Sequence, residues 1–211
     1  LKGQERIVVT GESSNTVNLV FIGSPRDDTV HLFSVDFTAC DNGADIDITT
    51  SDSYNTIAGP EDSNFGFQMA QYDEWGVFIS APSENKVYFY EYDQYSTNGM
   101  LNVSQADFVI QVDPGINHIY NLGITLKFEE SVNGKSTLFI TANSDGNCEY
   151  QKEDVNVVFA IDIDAFVNNH TSNVLKIPSQ LLIDDNTSSS PSARIQFGYA
   201  IYGNVKNGGF G

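Results

Sequence analysis

Phe65-Gly66-Phe67-Gln68-Met69-Ala70, then Gly76-Val77-Phe78-Ile79-Ser80-Ala81-Pro82, then Lys86-Val87-Tyr88-Phe89-Tyr90-Glu91-Tyr92: this stretch reads as strand, turn and strand. Short runs of Val, Ile, Phe and Tyr bounded by Gly, Asn, Ser and Pro favour extended backbone closed by tight turns. The same string stands upstream as Asn18-Leu19-Val20-Phe21-Ile22-Gly23-Ser24-Pro25 and Thr29-Val30-His31-Leu32-Phe33-Ser34-Val35, with Pro25 and Pro82 separated by 57 residues. A weaker copy runs through Leu122-Gly123-Ile124-Thr125-Leu126, Thr137-Leu138-Phe139-Ile140-Thr141-Ala142-Asn143 and Val157-Val158-Phe159-Ala160-Ile161-Asp162. A fourth begins at Ile195-Gln196-Phe197-Gly198-Tyr199-Ala200-Ile201. Self-similarity at several tens of residues marks a repeat architecture. Gly3, Gly66, Gly123 and Gly198 open the units, which gives approximate repeats 1–62, 63–119, 120–194 and 195–211, the last cut short.

Helical periodicity is nearly missing. Only Val155 to Val167 comes near it, and that segment alternates, so it reads as a strand with a helical turn at its end. Asn42-Gly43, Asn98-Gly99, Asn133-Gly134, Asp145-Gly146 and Asn207-Gly208 supply residues that tolerate positive φ. The expected class is all-β.

Composition removes other classes. The chain of 211 residues carries 10 Lys+Arg against 28 Asp+Glu, a formal net charge of −18, so it lacks the basic stripe that phosphate recognition needs. With 14 Phe and 10 Tyr it can bury a core. No apolar run approaches the roughly 18 to 20 residues of a membrane helix; Val17 to Gly23 is broken by Asn18. The first residues, Leu1 to Arg6, hold neither an initiator Met nor an apolar signal core, so the chain is expected to start within a longer precursor. Cys40 and Cys148 have no CxxC spacing and no paired His nearby, which disfavours zinc and leaves one disulfide or two free thiols open. Asn102-Val103-Ser104, Asn169-His170-Thr171 and Asn186-Thr187-Ser188 are glycosylation triplets without a central Pro, and with the acidic composition they point to an extracellular or cell-surface glycoprotein.

Phe-Gly, a loop, an apolar strand ending in Gly/Ala/Ser-Pro, and a Val-Tyr-aromatic strand together resemble the FG-GAP repeat of integrin alpha-subunit β-propellers and related extracellular proteins. The likeness is strong at Phe65 to Tyr92 and Phe197 to Gly211, moderate at Asn18 to Val35 and weak at Leu122 to Asp162. It implies blades of four antiparallel strands, about three of them with the start of a fourth, as an incomplete portion of a seven-bladed propeller. Radial packing buries both faces of a blade, so Leu19 to Gly23 and Val77 to Ala81 are expected to be covered on both sides, and Val87 to Tyr90 to be half exposed. In a radial array the first and third units are not neighbours, which argues against a Cys40–Cys148 bond.

In that family the loop after Phe-Gly can be a calcium loop of the form Asp-x-Asp-x-Asp-Gly-x-x-Asp. Position by position, the first loop here offers Thr10, Glu12, Ser14, Asn15 and Asn18, and the third offers Glu129, Ser131, Asn133, Gly134 and Thr137. Each has a single carboxylate, Glu12 or Glu129, too little charge to offset dehydration of Ca²⁺. The fourth places Lys206 at a ligand position, and the second, Gln71 to Gly76, is too short. Calcium is therefore not favoured, and Glu12 and Glu129 are the only candidate ligands carried forward.

Catalytic patterns are equally thin. His31, His118 and His170 sit in unlike contexts, and no Gly-x-Ser-x-Gly, His-Glu-x-x-His or complete phosphate-cradling Gly-x-x-x-x-Gly-Lys-Ser/Thr loop occurs. Asp45-Ile46-Asp47 and Asp162-Ile163-Asp164 place paired acids on one face of a strand, where solvated edge charges are the simpler account than a cation site. The expectation is a non-enzymatic binding or assembly module that presents loop aromatics, Tyr72, Trp75, Tyr95 and Tyr120, to a protein partner. Two alternatives stand beside it: the accessory propeller of a secreted enzyme, as in the glycosylphosphatidylinositol phospholipase D that such repeats resemble, and a structural subunit of a glycoprotein filament or coat.

Overall fold

The structure, a computed structural model, describes residues 6–11, 17–36, 53, 55–72, 75–92, 99–112, 119–130, 136–144, 155–164, 174–177 and 183–184. Within them the chain is all-β. The first sheet holds β1 (Arg6–Gly11), β2 (Val17–Ser24), β3 (Thr29–Asp36) and β4 (Asn55–Ala58). The second holds β5 (Met69–Tyr72), β6 (Gly76–Ala81) and β7 (Lys86–Glu91), after which β8 (Gly99–Asn102) crosses back to the first sheet before β9 (Phe108–Val112) completes the second. The third holds β10 (Ile119–Tyr120), β11 (Leu126–Glu130), β12 (Ser136–Ser144), β13 (Val155–Asp162) and β15 (Ile183–Asp184), while β14 (Val174–Ile177) returns to the second.

Each of the first two sheets is thus a four-stranded antiparallel meander with a fifth strand added in parallel at its outer edge. The additions obey one rule. β8 leaves the second repeat between its third and fourth strands and pairs with β4 from Asn55↔Gly99 to Ala58↔Asn102. β14 leaves the third repeat after β13 and pairs with β9 from Val174↔Val109 to Ile177↔Val112. The four antiparallel strands expected are present in both sheets, and beyond them the outer strand does not end the sheet: its free N–H and C=O groups are taken by a strand from the next repeat.

The sheets are held face to face by two apolar layers. Leu19, Phe21, Val30, Leu32, Ile57 and Phe65 meet Met69, Val77, Ile79, Ala81, Tyr88 and Tyr90 between the first and second sheets. On the far side of the second sheet, Ala70, Tyr72, Phe78, Val87, Phe89 and Phe108 meet Leu122, Leu126, Leu138, Ile140, Val157 and Phe159 of the third. The alternation of β6 and β7 sends neighbouring residues into different layers, so both strands are buried almost throughout. That confirms the double burial expected for Val77 to Ala81 and overturns the half-exposure expected for Val87 to Tyr90. β7 is an interior strand, with β9 and β14 outside it. The half-buried alternation falls instead on β4 and β9.

The junctions between sheets repeat one backbone plan. Asp28 and Asn85 close the β2–β3 and β6–β7 turns in the left-handed region, at φ 51° and 56°. The Asp28 carboxylate accepts the backbone N–H of Phe65 at 3.1 Å, and the Asn85 Oδ1 accepts that of Leu122 at 3.1 Å. The residues that follow, Gly66 (φ 85°) and Gly123 (φ 92°), donate to the carbonyls of Ser80 and Thr141 at 2.9 and 2.8 Å. The hydroxyls of Ser80 and Thr141 then accept the N–H of Gln68 and Thr125, both at 2.9 Å. Asn64 and Asn121, just before, are also left-handed, at 56° and 55°. The Phe-Gly motif is the docking element of one sheet on the turn of its predecessor, and glycine is needed there because a Cβ at positive φ is strained.

Candidate functional site

Of the aromatic residues expected to meet a partner, three lie among the described residues, and of these Trp75 is the one displayed. It lies between β5 and β6, in a turn closed by its N–H donating to the Tyr72 carbonyl at 2.9 Å, while its own carbonyl accepts the Tyr92 N–H at 2.8 Å. Trp75 is held through both of its own backbone groups, and its side chain is 64% exposed. Burial of an indole in a partner's pocket releases much hydration, and the backbone that carries this one is already hydrogen-bonded.

Tyr72 is a correction. Its ring packs on Phe128 at 4.9 Å and on Phe89 at 6.1 Å, and its hydroxyl donates to Asp164 at 2.8 Å. It belongs to the layer between the second and third sheets, because β5 turns this face inward. Tyr120 is half-buried on β10, opposite Asn143, and is a ladder residue with limited surface. Tyr95 lies outside the described residues.

Of the candidate metal ligands, Glu129 lies among the described residues. Glu129 stands on β11 opposite Thr137 and forms an ion pair with Lys127 at 2.6 Å, two positions away on the same face. A carboxylate already neutralised by an ammonium is a poor Ca²⁺ ligand. Glu12 lies outside the described residues, as do Asp45, Asp47, Cys40, Cys148, His118, His170, Asn169 and Asn186. Among the described residues no group of three or more His, Cys, Asp or Glu side chains is placed to hold a metal ion.

The pair Asp162 and Asp164 also reads differently in three dimensions. β13 stops at Asp162, so the two acids do not share a strand face. Asp164 instead ties two sheets, accepting the Tyr72 hydroxyl on Oδ1 and the Ser136 N–H at 2.7 Å on Oδ2. His31 is half-buried on β3, with ring nitrogens 3.4 Å from the Thr29 and Thr56 hydroxyls and its ring tilted against Phe33. Those distances are at the long end of hydrogen bonding.

Two buried phenols at the first interface are raised above the ordinary tyrosine value: Tyr88 by burial and by its hydrogen bond to Glu84, and Tyr90 by burial and the neighbouring Tyr88 and Asp107. Both hydroxyls are satisfied, Tyr88 by the Glu84 carboxylate at 2.9 Å and Tyr90 by the Asn102 carbonyl at 3.3 Å. They are structural groups kept neutral. Tyr90 also pins the end of β8 to the second sheet from which it came.

The inter-sheet caps Asp28 and Asn85 were not singled out in the sequence, although each stands three residues after Pro25 or Pro82 and directly before a strand. That position in a tight turn favours Asx residues that tolerate the left-handed region, and it was the available signal.

No protein-family model matches the chain, and a search of the curated proteins likewise finds no match. Among the described residues no helix is long and apolar enough to cross a membrane.

Proposed function

We propose that the chain is a portion of an FG-GAP-type β-propeller, extracellular and non-enzymatic, that presents turns from successive blades to a protein partner. The observation that carries this reading is the recurrence, at a spacing of 57 residues, of one docking geometry: Asp28 to Phe65-Gly66 and Asn85 to Leu122-Gly123. A geometry that hands each sheet to the next by a fixed step is what a radial array requires. Strand donation from the second and third repeats to their predecessors supports the same reading, since it links consecutive sheets through β4–β8 and β9–β14 pairing.

Binding in this reading centres on Trp75, the displayed aromatic of the second repeat. The test is to immobilise the chain and its Trp75→Ala variant and to titrate extracellular proteins recovered from the cells that make it. The variant is expected to keep its thermal midpoint and to bind its partner at least about tenfold more weakly, the effect of losing one hot-spot aromatic. Equal affinity of the two forms removes Trp75 from the interface. Hydrolysis of a phospholipid or ester by the purified chain removes the non-enzymatic reading.

A further inference from the structure

We propose that Asn102 carries an N-linked glycan that guards the open outer edge of the first sheet. The inference rests on the extracellular reading and adds to it a modified atom and a purpose. Asn102 is the last residue of β8, the outermost strand of that sheet, and among the described residues β8 has no partner on its far side. It is exposed, and it heads the triplet Asn102-Val103-Ser104.

The local geometry keeps the acceptor nitrogen available. Asn102 caps the 3-10 turn Val103–Gln105 through its side-chain oxygen, which accepts the Ser104 N–H at 2.9 Å and the Ser104 hydroxyl at 2.6 Å. The Gln105 Oε1 in turn accepts the Asn102 N–H at 3.0 Å, completing a capping box. With two donors converging on Oδ1, the amide is oriented and Nδ2 is turned away from the cap. Among the described residues Nδ2 makes no hydrogen bond. Glycosylation forms a bond between Nδ2 and the sugar C1, breaks the bond from C1 to the diphosphate of a lipid-linked oligosaccharide, and releases one Nδ2 proton with the lipid diphosphate. Oδ1 is untouched, so the cap survives modification.

The edge has reason to be covered. An unpaired strand edge is a template for pairing with another chain. β8 also carries Met100, 72% exposed, on the same four-residue strand. A hydrated glycan at its end blocks lateral approach without altering any contact within the sheet.

Three steps test this. The chain is secreted from a eukaryotic host and the peptide holding residue 102 is read by mass spectrometry before and after peptide N-glycosidase; occupancy of Asn102 is expected. Asn102→Asp keeps a capping oxygen but removes Nδ2, and enzymatic deglycosylation of the folded protein gives the same change without refolding. Both products are expected to self-associate at about tenfold lower concentration than the glycosylated chain in sedimentation velocity. An unmodified Asn102 beside occupied Asn169 or Asn186 overturns the inference and leaves the extracellular reading intact. Occupied Asn102 with unchanged association overturns the edge-guarding role. Absence of glycan from all three triplets in protein taken from its natural source overturns both.

Discussion

The junction between the first and second sheets and the junction between the second and third use one plan with different materials. At the first, the acceptor is a carboxylate: Asp28 takes the Asp62 N–H at 2.7 Å, the Ser63 hydroxyl at 3.0 Å and the Phe65 N–H at 3.1 Å. At the second, the neutral Asn85 takes the Leu122 N–H. The close approach differs as well. Gly23 lies so near Gly66 that a Cβ added to it would stand 2.1 Å from the Gly66 carbonyl oxygen, whereas the equivalent position in the next repeat holds Ser80, whose Cβ borders Gly123. The first junction is charge-assisted and brings backbone against backbone; the second has a neutral cap and is supported by a larger aromatic layer, with Phe89 stacked on Phe108 at 4.6 Å and tilted against Phe78 at 4.7 Å. Repeats that share a backbone plan can therefore divide stability differently between polar caps and apolar filling.

The largest expected effect comes from emptying the docking residue itself. Phe65 is fully buried and meets Tyr88 edge-on at 5.7 Å; Leu122 occupies the same place one repeat later and is also fully buried. Phe65→Ala is expected to cost about 3 to 5 kcal/mol and Leu122→Ala about 2 to 4 kcal/mol in equilibrium denaturation. A Leu122→Ala cost below about 1 kcal/mol breaks the equivalence of the two sites.

Next is the contrast in close packing. Gly23→Ala forces a methyl against a backbone oxygen that has no rotamer to change, so a loss of about 3 kcal/mol is expected. Ser80→Ala keeps the Cβ and removes only the acceptor for the Gln68 N–H, at about 1 kcal/mol. Thermal midpoints measured side by side decide it, and equal shifts would show that the first junction relaxes as readily as the second.

The smallest effect separates the caps. Glycine is the substitution of choice because both residues have positive φ, so no backbone strain is introduced. Asp28→Gly loses three donors and is expected to cost about 2 kcal/mol; Asn85→Gly loses one and about 1 kcal/mol. Amide exchange at Phe65 and Leu122 reads each junction separately, and the faster-exchanging amide is expected to be the one whose own cap was removed.

Much of this was legible in the residues. The alternation of β-formers with Gly, Asn and Pro gave the all-β class, and Phe65-Gly66 with Ala81-Pro82 marked a repeat whose spacing the hydrogen bonds reproduce. Trp75 stood out as a loop aromatic and is displayed. Tyr72, only three residues away, was indistinguishable from it by type and neighbourhood, yet β5 carries it into the core. The difference is one of strand phase, and a short strand beside a turn does not declare its phase. Glu129 was legible as the lone acid of a degenerate loop, but its ion pair with Lys127 needed the strand to extend through both.

Local patterning, then, determined which segments are strands, where they turn and that they recur, because φ/ψ preference and side-chain period act between near neighbours. Tertiary structure alone decided that β8 and β14 desert their own sheets for the preceding one, that β7 is interior, and that Asp28, Asn85 and Asp164 are ties between sheets. The ties depend on partners 28 to 92 positions distant, as in Asp164 with Ser136 and with Tyr72. Which partner wins is set by the edges and cavities that the assembled sheets leave, and such complementarity has no local trace in the chain.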